Sequence, residues 1–302
     1  MNAIRSCRRA WGHTVPSGQV AVRTWMSRIA TLVLAVMLVS ATEAGAPRHV
    51  NVQAHRGFSH TYPENTLLSL DRAFAAGADV VEADLALTAD DQVILMHDVT
   101  VDRTTDGSGP VESLTLEVIR QLDAGGWKDA RFAGEPVPTL REAIRAAEGR
   151  GTLNLEVKSR GRLWSSVQRL IVEAVRIVEE EGARDRVLFS SFEVRTLLEI
   201  REHDPEVRLF LIDWDAPSQF DNLFLAIHHG FDGWLVHPDF ATEDRIVRAK
   251  EGGLYVHVSR TSEAQMRRHI EWGADQLGTN EPPSLIAWLE REGYRKTGAE
   301  AP

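Results

Sequence analysis

From residue 50 onwards, short runs of apolar and β-branched residues alternate with longer stretches whose apolar positions recur every three or four residues. The short runs predict strands over 51–54, 78–87, 92–97, 152–157, 187–190, 207–212, 233–236, 254–258 and 275–278. The periodic stretches predict helices over 66–76, 139–147, 163–181, 193–203, 219–229, 242–251, 263–272 and 283–291. Breakers punctuate them: Asp204-Pro205, Gly230, Gly252-Gly253 and Gly273 follow helices, and Thr242 and Thr261-Ser262 stand where helix caps belong. Alternation repeated this often implies a parallel sheet. About eight strand–helix units in roughly 250 residues fit a closed barrel better than an open doubly wound sheet. The expected class is therefore α/β, a single (β/α)8 TIM barrel.

One connection breaks the rhythm. Residues 98–138 are rich in Gly, Asp and Thr, and a stretch that long inside a compact domain usually carries function or its own substructure. We expect a small insertion after the second βα region, over about 99–138, with a short helix near 113–122. The other anomaly is the apolar run 29–39, with Arg28 before it and Thr42-Glu43-Ala44 and Ala44-Gly45-Ala46 after it. A positive start, a short apolar segment and a small-residue exit read as a secretory leader over 1–44, with Met26 as an alternative start. The expected organisation is leader 1–44, barrel 45–295 and a frayed tail 296–302. The expected location is outside the cytoplasm, periplasmic or secreted.

Composition narrows the field. The 302 residues carry a net charge of −10, and 43% are hydrophobic, an ordinary value for a soluble protein. Loss of the leader would remove five arginines and one glutamate, taking the net charge to −14. Such a balance argues against a nucleic-acid partner, which calls for a basic stripe. The single cysteine, Cys7, excludes thiolate zinc centres and a disulfide scaffold.

Strands of a parallel barrel are buried on both faces and should be apolar, so their polar residues stand out. Four groups do so, each at the end of a predicted strand, where barrel enzymes build their sites: His55-Arg56-Gly57, Glu82-Ala83-Asp84, His97-Asp98 and Glu156-Val157-Lys158. A helix-start turn, a rim salt bridge or a satisfied core histidine would account for any one of them. Together they make a site. Residues two apart on a strand share a face, so Glu82 and Asp84 lie together, as do Glu156 and Lys158. Glu82, Asp84 and Glu156 offer three oxygen ligands, suited to one divalent cation, Ca²⁺ or Mg²⁺. Arg56 and Lys158 offer fixed positive charge for a phosphate, and His55 and His97 offer two imidazoles, the side chain whose unperturbed pKa suits acid–base work at neutral pH. This set describes phosphodiester cleavage.

These motifs, with Pro63-Glu64-Asn65-Thr66, the stretch from Asp102 to Gly109, and Pro138-Thr139-Leu140, resemble the glycerophosphodiester phosphodiesterase family, of the phospholipase-C-like barrel type, from about Val50 to Trp288. The resemblance implies metal-dependent hydrolysis of glycerophosphodiesters to glycerol 3-phosphate and an alcohol, with the glycerol 2-hydroxyl as internal nucleophile and a cyclic phosphate between. It implies Glu82, Asp84 and Glu156 as metal ligands, His55 and His97 as the acid–base pair, Arg56 and Lys158 on the phosphate, and Glu64 and Asn65 bracing the first loop. His237 and His257, ending neighbouring strands, are pocket candidates, as are Trp127, Trp214 and Phe192. The sequence departs from the family near the seventh strand, where Trp-Thr-Val-Asn is usual and Ser259-Arg260-Thr261 stands after His257, and at Thr279-Asn280, where Thr-Asp is common. Two other readings stay open at this point: a lysophospholipase D or sphingomyelinase D-like enzyme acting on lipids, and a non-catalytic binding barrel. The expected partner is a small molecule, with membrane contact only through the leader or a lipid substrate; the oligomeric state is open.

Overall fold

The structure, a computed structural model, describes residues 49–214, 221–259 and 261–296. The leader with Met26 and Cys7, and the tail beyond Lys296, lie outside the described residues. The elements run β1 (Asn51–Ala54), α1 (Leu67–Ala75), β2 (Val80–Leu87), β3 (Val93–Leu95), α2 (Leu116–Ile119), α3 (Leu140–Ala146), β4 (Thr152–Val157), α4 (Trp164–Glu180), β5 (Val187–Ser191), α5 (Val194–His203), β6 (Arg208–Asp213), α6 (Asn222–His228), β7 (Gly233–Val236), α7 (Glu243–Glu251), β8 (Tyr255–Ser259), α8 (Glu263–Trp272), β9 (Gln276–Thr279) and α9 (Pro282–Arg291). No helix among the described residues is long and apolar enough to cross a membrane.

Eight strands close a parallel barrel in the order β1-β2-β4-β5-β6-β7-β8-β9. The last pairing, β1 with β9, joins Asn51 to Gln276 and Ala54 to Thr279. The period of two sorts each strand. Val81, Ala83 and Leu85 of β2, and Leu153, Leu155 and Val157 of β4, face the helices in the main apolar core. Their neighbours Glu82, Asn154 and Glu156 therefore face the barrel interior, on the cavity described below. Threonines start the helices beside the site: Thr66 and Thr139 each close a capping box, with Ser69 and Glu142.

One predicted strand has a different role. β3 is not a barrel strand. β2 runs past the barrel rim to Leu87, and β3 folds back antiparallel on that extension, Leu85 opposite Leu95. His97 therefore does not end a barrel strand. It reaches the rim on the returning chain, where Met96 N donates to Asp84 O at 2.9 Å. The insertion lies inside the second βα unit, between β2 and α3, and has an apolar cluster of its own built on Ala86, Ile94, Val101, Val111, Ile119 and Val137. The helix expected near 113–122 is interrupted: extended Leu114 separates a 3₁₀ turn, Val111–Ser113, from α2.

Candidate active site

The first loop is a forced turn. Arg56 and Gly57 both take the left-handed conformation, φ 55° and 76°. A Cβ on Gly57 would lie 2.4 Å from Ser69 Oγ, so glycine lets the turn press onto the start of α1. For Arg56 the conformation costs of order 1–3 kcal/mol. Its contacts offset this: Arg56 N donates to Glu82 Oε2 at 2.7 Å, and its guanidinium lies 3.0 Å from Glu64 Oε1 and 3.4 Å from Asp84 Oδ2. Asn65, also left-handed at φ 56°, grips Asp84 twice, Nδ2 donating to Oδ2 at 2.7 Å and Oδ1 accepting from Asp84 N at 3.1 Å. Glu64 and Asn65 thus brace the loop from behind.

Glu82, Asp84 and Glu156 are buried and offer oxygens within 4.8 Å of one another. Burial raises the Glu82 carboxyl well above its ordinary range, and Asp84 and Glu156 add to the rise. Glu156 is raised by burial and by Asp84. Asp84 goes the other way: burial is outweighed by Lys158 and Arg56, and its carboxyl is held far below the usual range. Lys158 Nζ contacts Asp84 Oδ1 and lies 2.7 Å from Glu156 Oε1. Removing an ion from water costs several kcal/mol even after relaxation, so three crowded carboxylates call for a cation beyond the two side chains present, or for a proton held among them. Glu82 Oε1 has no hydrogen-bond partner, and the donors are all oxygens. Both features fit a hard divalent cation.

The two histidines are oriented differently. His55 Nδ1 is 2.8 Å from Asn280 Oδ1, which makes Nδ1 the donor and leaves Nε2 as a lone-pair base, 3.9 Å from Glu82 Oε2. Desolvation by the cavity wall, and then Arg56, lower the His55 pKa. His97 Nδ1 is 2.5 Å from Asp98 Oδ1, and Asp98 is clamped by Arg103 Nε at 2.6 Å, which draws its carboxyl down to about 2. Arg103 continues to Glu64 at 2.7 Å, and so to Arg56. A single chain of ion pairs thus links His97 in the insertion to the carboxylates in the barrel.

All of this opens on one cavity of about 720 Å³. His55, Arg56, His97, Glu82, Glu156 and Lys158 line one side; Phe192, Ile212, Trp214 and Leu235 line the other. Asp84 sits just behind, locked by Asn65 and Lys158. His257 is on the floor. Two pocket candidates lie elsewhere. His237 stacks edge-on behind Trp214, ring centroids 4.7 Å apart, and is not among the cavity-lining residues. Trp127 donates to Ala124 O within the insertion, also away from the cavity. Reading the sequence did not assign roles to Asn280, Asp98 or Arg103, which orient the histidines. Asp98 and Arg103 lie inside the sequence motifs, whereas nothing local ties Asn280 to His55.

Comparisons with known proteins bear on the chain as a whole. The model of the glycerophosphoryl diester phosphodiesterase family matches residues 55–284. The chain belongs to this family. It is a phosphoric diester hydrolase. The glycerophosphodiester phosphodiesterase of Caldanaerobacter subterraneus subsp. tengcongensis is 32% identical over 248 residues, covering 80% of this chain and 98% of its own. A phosphodiesterase of Oleispira antarctica, solved with the product sn-glycerol-3-phosphate, superposes with a TM-score of 0.73 at 29% identity, covering 80% of this chain and 96% of that one. The glycerophosphodiester phosphodiesterase of Agrobacterium tumefaciens gives 0.67 at 26%, with 78% and 97% covered. Family membership sets the non-catalytic reading aside.

Proposed function

We propose that this glycerophosphodiester phosphodiesterase releases glycerol 3-phosphate and an alcohol by metal-dependent acid–base catalysis at the cavity rim. The reading rests on one observation above all: a buried cluster of three carboxylates, two of them lining the cavity, meets two differently partnered histidines there. Glu82, Asp84 and Glu156 would hold a Ca²⁺ or Mg²⁺ ion, whose charge would be available to the phosphoryl oxygens. Arg56 and Lys158 orient the phosphate. His55, with a neutral partner behind it and Nε2 free, takes the proton from the glycerol 2-hydroxyl. His97, turned by Asp98, returns one to the departing alkoxide, much as a carboxylate orients the histidine of a catalytic triad. The adjacent hydroxyl as nucleophile has an effective molarity of up to about 10⁵–10⁸ M in well-oriented cases, and its attack yields a cyclic phosphate that water then opens.

Assay on glycerophosphocholine before and after EDTA treatment, with Ca²⁺ or Mg²⁺ restored separately, tests the metal assignment. Activity that survives complete metal removal would sink it. The apolar wall of Phe192, Ile212, Trp214 and Leu235 favours a second substrate, a lysophospholipid. Turnover of lysophosphatidylcholine at or above that of glycerophosphocholine would move the enzyme to that class. We also propose that residues 1–44 direct export, which the N-terminal sequence of secreted protein would decide.

A further inference from the structure

The floor of the cavity is polar in a way the chemistry above does not use. Asn154 and Ser190 are fully buried, and Asn154 Oδ1 and Ser190 Oγ have no hydrogen-bond partner. Both residues line the cavity, with Asn154 in register beside Glu82 and Ser190 beside Glu156, next to the carboxylate cluster. A buried polar atom left unpaired costs about 1–3 kcal/mol, so two on one floor call for something to bind them.

The third group is His257. Asn51 Nδ2 donates to the Tyr255 hydroxyl at 2.7 Å, and that hydroxyl donates to Gln276 Oε1 at 3.4 Å. Gln276 Nε2 is thereby the donor end. It reaches Gln53 Oε1 at 3.0 Å and His257 Nδ1 at 2.7 Å. Nδ1 accepts, so the ring proton sits on Nε2. Burial, and then His55, lower the His257 pKa to about 3, which keeps the ring neutral. A Cβ at residue 278 would lie 2.6 Å from Nε2. Glycine at 278 thus leaves room for the His257 ring, and both residues line the cavity.

We infer that His257 Nε2–H, Asn154 Oδ1 and Ser190 Oγ form a hydroxyl-binding well that takes the terminal hydroxyl of the substrate's glyceryl group. The inference rests on the proposed glycerophosphodiesterase reading and names a specificity element of the same site. A neutral donor, a neutral acceptor and a group that can be either match an alcohol, which donates once and accepts. They do not match a phosphate oxygen, which needs donors only and would be repelled by Glu82 beside Asn154. With the terminal hydroxyl anchored below, the neighbouring 2-hydroxyl is held one carbon away, on the side of His55.

The test compares glycerophosphocholine with the phosphocholine ester of propane-1,2-diol, which keeps the nucleophilic hydroxyl and lacks the terminal one. Wild type should prefer the glyceryl diester by about ten- to hundredfold in kcat/KM, the value of one buried hydroxyl contact. In His257→Phe and in Asn154→Ala that ratio should fall towards one, whatever the absolute rates. An unchanged ratio in both variants overturns the inference. If wild type cleaves neither diester, the functional reading itself fails and the inference with it. A measurement on the wild-type protein avoids any folding defect. The His257 ¹⁵N resonances should show a neutral ring protonated at Nε2, shifted by glycerol 3-phosphate but not by propane-1,2-diol 1-phosphate. Equal response to both, or to neither, overturns the well.

Discussion

The two sides of the barrel mouth are built on opposite principles. On the side of β1, β2 and β4, an ion-pair chain runs from Asp98 through Arg103, Glu64, Arg56, Asp84 and Lys158 to Glu156. Across the cavity, β6 and β7 and the turn after β5 present Ile212, Leu235, Trp214 and Phe192, with no charge on those side chains. The first side fixes charges in place, at the cost of burying them. The second offers surface without direction. On the function proposed above, the difference separates the part of the site that would act on the phosphate from the part that would receive the alcohol. The phosphate and the reacting hydroxyl need oriented charge, whereas the leaving group needs only to be accommodated.

The largest effect expected should come from the charged side. His55→Ala and His97→Ala should each lower kcat on glycerophosphocholine by about 10²–10⁴-fold, the range for loss of a general acid or base. Two variants with wild-type turnover would remove the acid–base pair from this side altogether. A smaller effect separates charged from neutral burial. Because the folded pKa of His257 is depressed, the unfolded chain takes up the proton first as the pH drops below about 6.5. Stability is then at its full value above that pH and is lost as the pH falls towards 3, by up to about 1.4 kcal/mol per unit. Urea midpoints measured from pH 7 to pH 4.5 should fall less steeply in His257→Phe than in wild type; parallel curves would mean the ring is not held neutral. The smallest effect belongs to the apolar side. Trp214→Ala or Phe192→Ala should raise KM for glycerophosphocholine by about tenfold, as loss of part of one aromatic contact would, with kcat changed less. A collapse of kcat instead would show that the apolar side helps position the reacting centre, and the division would fail.

The same division decided how much of the site could be read in advance. Glu82, Asp84, Glu156 and Lys158 were legible because charge at two-residue spacing inside an apolar strand has few explanations. Ile212 and Leu235 were not, since an apolar residue facing a cavity and one facing a helix look alike in a strand of unbroken hydrophobicity. His237 and His257 show the limit from the other direction. The sequence places both at the ends of neighbouring strands, yet His237 follows β7 and stacks behind Trp214, whereas His257 sits in the middle of β8 and lines the floor. The inward alternation is the same for both; what separates them is height along the barrel, which register sets and sequence does not display.

By itself, the sequence determined the strand–helix alternation, the inward face of each charged pair, the insertion before α3 and the residue types at the reaction centre. All of these are local, set by periods of two and 3.6 and by the cost of leaving a charge in an apolar strand. Tertiary structure alone decided the rest: the closure of β1 on β9, the return of His97 along an antiparallel strand, the Asn280 acceptor behind His55, and the donor order from Asn51 to His257. The return of His97 is a hairpin on the extension of β2; the other three join groups that have no local relation, and only barrel closure brings the two ends of the chain within hydrogen-bonding reach.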